Sequence, residues 1–197
     1  RGVSSIMNLD YMVISNFLDN PDKVRQSLIE QQLEFPFEGH FPGRRSSLPD
    51  EGYRKMIDEK LESILPFRYE HDMTTSTYCF QLCLEEDKNS WIHMDATDWA
   101  GVLYLTPNAP SDSGSLIYTE DTNGTLREAN EKYKDGDPTV LEGMEQQHDL
   151  TTVISNEYNK LLLIRGNALP HKSNVGGFGD CLENGRLTQV FFFNIIE

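Results

Sequence analysis

From Phe67 onward the apolar residues come in short runs, several alternating with polar ones, and turn-forming residues close each run. Successive side chains of a strand point to opposite faces, so this texture predicts a sandwich or barrel of short strands. Strands are expected over Ser76 to Leu84, Trp91 to His93, Ala100 to Thr106, Ser115 to Tyr118, Lys160 to Ile164 and Leu187 to Ile196. The first third reads differently. A short strand, Tyr11 to Ile14, precedes Asp19-Asn20-Pro21, where a capping side chain and a first-turn proline open a helix to about Gln32. From Asp50 to Leu65, Tyr53, Met56, Ile57, Leu61, Ile64 and Leu65 recur at helical spacing until Pro66 ends the run. The expected fold class is therefore mainly β with flanking helices (α+β), the two helices packing on one face of a sheet.

A chain of 197 residues suits one domain. Residues 1–66 would form an N-terminal strand and supporting helices, and 67–197 a β core. Between Glu120 and Asp149 the sequence turns polar, with helical pieces expected at Leu126 to Lys134 and near Val140 to Gln147. That stretch exceeds a plain connector and reads as an insertion, either a lid over a site or a solvated excursion. The loop Asn174-Val175-Gly176-Gly177-Phe178-Gly179 lacks the ending of a phosphate cradle and reads as a turn between strands.

Composition narrows the partners. A net charge of -15 repels a phosphate backbone, and the only dense basic cluster is Arg44-Arg45, in the expected loop from His40 to Arg45. No nucleic-acid partner is expected, and no apolar run is long enough for a membrane span. The opening Arg1-Gly2-Val3-Ser4-Ser5 contains no apolar signal segment and reads as a trimmed terminus. Three cysteines, an odd number without metal-ligand spacing, fit a reducing cytoplasmic setting better than a disulfide framework.

The chemistry-bearing residues are few. In an extended segment, His93 and Asp95 of His93-Met94-Asp95 present an imidazole and a carboxylate to the same side. His171 follows the apolar run Leu161-Leu162-Leu163-Ile164 and a short turn, so a second strand can deliver it to the same ion. Two imidazoles and one carboxylate on one face form the triad that binds non-haem Fe(II) and leaves positions open. Fifteen residues past His171, Arg186 and Thr188 share one face of a strand, where a guanidinium fork and a hydroxyl suit a dicarboxylate. His40, His71 and His148 have no partners at metal-ligand spacing and read as surface or loop residues.

In its His-x-Asp, distal His and Arg-x-Thr order, carried by His93-Met94-Asp95, His171 and Arg186-Leu187-Thr188, the chain resembles the 2-oxoglutarate- and Fe(II)-dependent oxygenases, and among them the prolyl 4-hydroxylase-like branch. The resemblance runs from about Tyr78 to Ile196 and includes Gly101 to Thr106 and Ser113-Gly114-Ser115-Leu116. It implies a double-stranded β-helix, that is, a cupin-like jelly roll. It further implies that His93, Asp95 and His171 bind Fe(II), and that Arg186, helped by Thr188, pairs with the distal carboxylate of 2-oxoglutarate. Tyr104 is a further candidate contact to that carboxylate, and Gln81 another of the same kind. The implied reaction consumes dioxygen and 2-oxoglutarate, with ascorbate as reductant, and hydroxylates a C–H bond. Asp95 argues against a halogenase, in which a small residue replaces this carboxylate. The polar insertion makes the separation of Asp95 from His171 longer than in compact members.

For the substrate, the branch resemblance implies a peptidyl or free amino acid, proline first. A small-molecule metabolite is the alternative. A non-catalytic cupin-like binding domain would be expected to lose a ligand or the arginine. A groove lined by Trp91, Trp99 or Arg44-Arg45 would favour a chain substrate, and a sealed cavity a metabolite.

Overall fold

The computed structural model describes residues 9–87, 90–134, 138–141 and 143–196. The opening residues read as a trimmed terminus, and parts of the 120–149 stretch, lie outside the described residues. Along the chain come β1 (Tyr11–Ile14), α1 (Pro21–Glu30), β2 (Phe37–Gly39), β3 (Phe41–Arg45), α2 (Glu51–Ile64), β4 (Tyr69–His71), β5 (Phe80–Cys83) and β6 (Trp99–Tyr104). They are followed by β7 (Ser115–Tyr118), α3 (Thr125–Lys134), β8 (Leu150–Ile154), β9 (Leu161–Ile164), β10 (His171–Ser173) and β11 (Arg186–Ile195). The expected caps hold: Asn20 accepts from the Lys23 amide at the start of α1, and Asp50 from the Tyr53 amide at the start of α2. No described helix is long and apolar enough to cross a membrane.

Eight strands form one antiparallel sheet in the order β1-β9-β6-β11-β5-β3-β2, with β4 also pairing to β11, and three form a second sheet, β10-β7-β8. Alternation sorts the larger sheet into two faces. Leu187, Phe191 and Phe193 of β11, Leu103 of β6, and Leu161 and Leu163 of β9 pack with Ile57 and Leu61 of α2. The opposite face carries Tyr104, Leu162 and Ile164, which pack on Ile117 and Ile154 of the smaller sheet. The helices thus cover the outside, and the inner face lies between the two sheets. Arg186 and Thr188 alternate with Leu187 and so belong to the inner face.

Several expected elements change length or kind. The strand expected from Ser76 begins only at Phe80, because 73–78 form turns and Tyr78 has a left-handed φ of 67°. Trp91 to His93 is not a strand; His93 alone bridges to His171. The Arg44-Arg45 loop is strand β3, paired with β5 through Arg44 to Leu82 and Arg45 to Gln81. Gly43 permits this approach: its φ is 69°, and a Cβ there would run into the Leu82 carbonyl. Strands β2, β4, β8 and β10 have no counterpart among the expected ones.

The polar insertion is structural. Leu126 and Ala129 of α3 are buried with Ile92, Met94, Leu116 and Tyr118, so the helix backs the segment that bears His93 and Asp95. Trp99 cannot line a groove, since it is 3% exposed and stacks on Phe67 in the outer core. Two histidines expected at the surface are enclosed instead. The His71 ring lies 2.8 Å from Thr77 Oγ1 and 3.2 Å from Asp58, while that of His148 lies 3.0 Å from the Met144 carbonyl and 3.4 Å from Asp121.

Candidate metal centre

In the extended stretch 92–95, Ile92 and Met94 turn into the core beside α3, which leaves His93 and Asp95 on the opposite side. His171 opens β10, whose pairing with β7 sets His171 beside Ile117 on the inner face. The three side chains converge: ligand-type atoms of His93, Asp95 and His171 all lie within 4.8 Å of one another. His171 Nε2 is 3.0 Å from Asp95 Oδ2, His93 Nε2 is 4.0 Å from Asp95 Oδ1, and the imidazole centroids are 4.5 Å apart.

Both rings are held from behind. His93 Nδ1 lies 3.1 Å from the Trp91 carbonyl and His171 Nδ1 lies 2.8 Å from the Leu169 carbonyl. A carbonyl can only accept, so each Nδ1 donates; without an ion His171 Nε2 donates to Asp95 Oδ2, and a metal would take the place of that proton. Asp95 is fixed by its amide bond to the Gly166 carbonyl. Gly166 also makes room for it, since an added Cβ would lie 3.0 Å from Asp95 Cβ and 3.2 Å from Ala100 Cβ.

Without an ion, the three groups shift in different directions. Burial, with His171 next, pushes the His93 imidazole down to about 4. Burial would lower His171 as well, but the adjacent Asp95 carboxylate overrides it and holds His171 above its ordinary value. Burial alone would likewise raise Asp95, and the two imidazoles, His171 foremost, keep it below the usual carboxylate range.

The other sequence-derived candidates share the inner face. Arg186, 4% exposed, donates from Nε to the Ser113 carbonyl at 3.1 Å, and its guanidinium carbon lies 5.9 Å from the Tyr104 ring. Thr188 is the cross-strand partner of both Gln81 and Tyr104. The Tyr104 hydroxyl pairs with Ser115 Oγ at 2.7 Å, and burial pushes its pKa up, so it is a neutral group at physiological pH. Gln81 faces the same space, but its amide is engaged: its oxygen accepts from Arg45 Nε at 2.9 Å and its nitrogen donates to the Pro42 carbonyl at 2.8 Å.

One residue the sequence does not single out is Ser173, and another, Arg45, lies in a different kind of element from the one expected. Ser173, two places beyond His171 and opposite Ser115, has a buried hydroxyl without a hydrogen-bond partner. Arg45, expected in a loop, lies in strand β3. A signal existed for it, since Phe41, Gly43 and Arg45 alternate across a strand, but proline and glycine disguise the pattern.

No family model matches the chain, and no curated protein does either. Solved structures do. HygX from Streptomyces hygroscopicus with nickel, 2-oxoglutarate and hygromycin B bound aligns with a TM-score of 0.55 at 14% identity, over 93% of this chain and 82% of its own. A prolyl hydroxylase from Trichoplax adhaerens, in complex with a hypoxia inducible factor peptide fragment, aligns at 0.53 and 13% identity, over 94% and 84%. SnoK, the non-heme alpha ketoglutarate dependent carbocyclase of nogalamycin biosynthesis, aligns at 0.53 and 12% identity, over 93% and 79%.

The chain has the fold of the 2-oxoglutarate- and iron-dependent oxygenases.

On this oxygenase fold the donor set of one carboxylate and two imidazoles suits Fe(II), for which a face of N,N,O ligands leaves room for exchangeable partners. The enclosed guanidinium of Arg186, the Thr188 hydroxyl and the orphaned Ser173 hydroxyl are polar groups whose burial is costly unless something answers them.

Proposed function

We propose that the protein is an Fe(II)- and 2-oxoglutarate-dependent dioxygenase that hydroxylates a C–H bond of a peptidyl or free amino acid, proline-like in the first instance. The carrying observation is the convergence of His93, Asp95 and His171 on the inner face that also holds Arg186 and Thr188. The two packed sheets are read as the halves of a double-stranded β-helix, in one domain spanning 1–197, and three free thiols suit a reducing cytoplasm.

In this reading His93, Asp95 and His171 hold the iron. The bound centre supplies coupled oxidation, in which one atom of dioxygen goes to 2-oxoglutarate, giving succinate and carbon dioxide, and the other to the substrate C–H bond. Arg186 pairs with the distal carboxylate of 2-oxoglutarate, and Thr188, Tyr104 and Ser173 offer hydroxyls to it. Apolar Leu162 and Ile164 keep water from that end of the inner space, which strengthens the charge pairing.

The test is succinate formation and dioxygen uptake from 2-oxoglutarate with added Fe(II) and ascorbate, alongside direct 2-oxoglutarate binding to the Mn(II)-loaded protein. The reading expects 2-oxoglutarate to bind only when metal is present, and succinate to form in wild type but not in Asp95→Ala. Absence of both binding and succinate would overturn it.

A further inference from the structure

Among the described residues Arg25 and Arg186 are buried and Arg45 is half-buried on the inner face, and they differ in what answers them. Arg25 is capped by the backbone carbonyls of Leu182 and Glu183. Arg186 is held by the Ser113 carbonyl, and the proposed function reserves its outer edge for the cosubstrate. Arg45 is the exception. Its Nε donates to Gln81, and among the described residues the opposing charge that acts on it most is that of Asp95, without a hydrogen bond between them.

Nothing about Arg45 is loose. Pairing with Gln81 across β3 and β5 fixes its backbone on the inner face. The guanidinium carbon sits 3.8 Å from the centre of the Phe41 ring and 5.4 Å from that of Phe192. Gln81, anchored on the Pro42 carbonyl, orients the plane. The group shares the inner face with the candidate site, since Arg45 pairs with Gln81 and Gln81 with Thr188. Burial pulls Arg45 down to about 10, which leaves it charged at neutral pH.

A charged planar fork, fixed by stacking and by one hydrogen bond on the face that carries the candidate site, matches a carboxylate in shape and charge. On a chain of net charge -15, no general attraction for anions competes with this local one.

We propose that Arg45 binds a carboxylate of the substrate, with Gln81 as its positioning residue, so that the substrate is a small free acid held beside the metal rather than the interior of a peptide. This rests on the oxygenase reading and narrows its substrate class. A single guanidinium balances a monoanion; a phosphate dianion would call for a second cation, and Arg186 is already committed.

The test uses the whole protein loaded with Mn(II) and saturating N-oxalylglycine, a non-reactive mimic of 2-oxoglutarate. Proton relaxation by Mn(II) is measured for the twenty free L-amino acids, short aliphatic and hydroxy acids, the matching carboxamides, and phosphoserine. The inference expects one or more acids to relax strongly while the matching carboxamides do not. Arg45→Gln should weaken the effect about tenfold or more, and Arg45→Lys less so, with N-oxalylglycine affinity held within about threefold. A thermal midpoint for each variant confirms folding, and Gln81→Leu serves as an independent variant that displaces the fork without removing its charge.

No acid near Mn(II) in wild type, equal relaxation by acid and amide, or a preference for phosphoserine alone would overturn the inference. So would an Arg45→Gln variant that loses N-oxalylglycine instead, since Arg45 would then be a cosubstrate contact. Failure of wild type to bind Mn(II) or N-oxalylglycine at all is a separate result, and it removes the oxygenase reading itself.

Discussion

His93 and His171 donate backbone hydrogen bonds to each other, at 3.0 Å in one direction and 2.9 Å in the other, as an isolated antiparallel bridge. Two segments far apart in sequence are therefore brought into register by the main chain. The side chains proposed to bind the metal are prearranged, in contrast to small metal domains that fold only around their ion. Exhaustive chelation should accordingly leave the far-ultraviolet circular dichroism spectrum unchanged. Adding Mn(II) at about one hundred times its dissociation constant should raise stability by roughly 2.7 kcal/mol. Collapse of the spectrum on chelation would show that the bridge does not hold the site by itself.

Gly166 abuts Asp95 so closely that a methyl group there would lie 3.0 Å from Asp95 Cβ and 3.2 Å from Asp95 Oδ2, and its neighbours would have to shift by a few tenths of an ångström. Gly166→Ala should cost about 1–3 kcal/mol through overpacking. It should also lower Mn(II) affinity, because the carboxylate must move while both imidazoles stay. Calorimetric titration of Mn(II) and a urea melt separate the two effects, and unchanged affinity would dissociate Gly166 from the site.

Leu126 of α3 is fully buried against the segment carrying His93 and Asp95. Leu126→Ala should destabilise the fold by about 2–5 kcal/mol, as for other large-to-small core changes. A solvated excursion would instead melt almost as wild type does. Chemical denaturation decides whether this stretch is a buttress or an ornament.

Arg186 is almost entirely enclosed; its Nε donates to the Ser113 carbonyl and its side chain also meets the Cys83 thiol. Arg186→Met should weaken 2-oxoglutarate binding to the Mn(II) protein by a factor corresponding to about 2–5 kcal/mol, the usual loss when one partner of a buried charged pair is removed. Mn(II) binding itself should persist. Equal 2-oxoglutarate affinity in the variant would take Arg186 out of the cosubstrate site.

What the sequence disclosed and what it hid divide along physical lines. Tyr11–Ile14 and Ser115–Tyr118 appear with their expected bounds, and both helices of the first third start at their expected caps, because strand alternation and capping are local signals. The short strands β4 and β10 were invisible: with three residues each they exist only through tertiary pairing, to β11 and β7. Arg45 was hidden for a related reason, since a Pro-Gly pair within β3 mimics a loop until β5 lies alongside. His71 and His148 were misread because a lone histidine carries no mark of burial. For the candidate site, the order of His93, Asp95, His171, Arg186 and Thr188 was legible. The unanswered hydroxyl of Ser173 and the engaged amide of Gln81 depend on cross-strand register, which no local pattern encodes.

The central claim is that His93, Asp95 and His171 bind one divalent cation, and Mn(II) titration of wild type and His171→Ala, followed by electron paramagnetic resonance, tests it most directly. The account predicts one bound Mn(II) per wild-type chain, and in the folded variant a loss of affinity of about 100-fold or more, since two protein ligands cannot replace three. Equal Mn(II) binding by wild type and His171→Ala would contradict it.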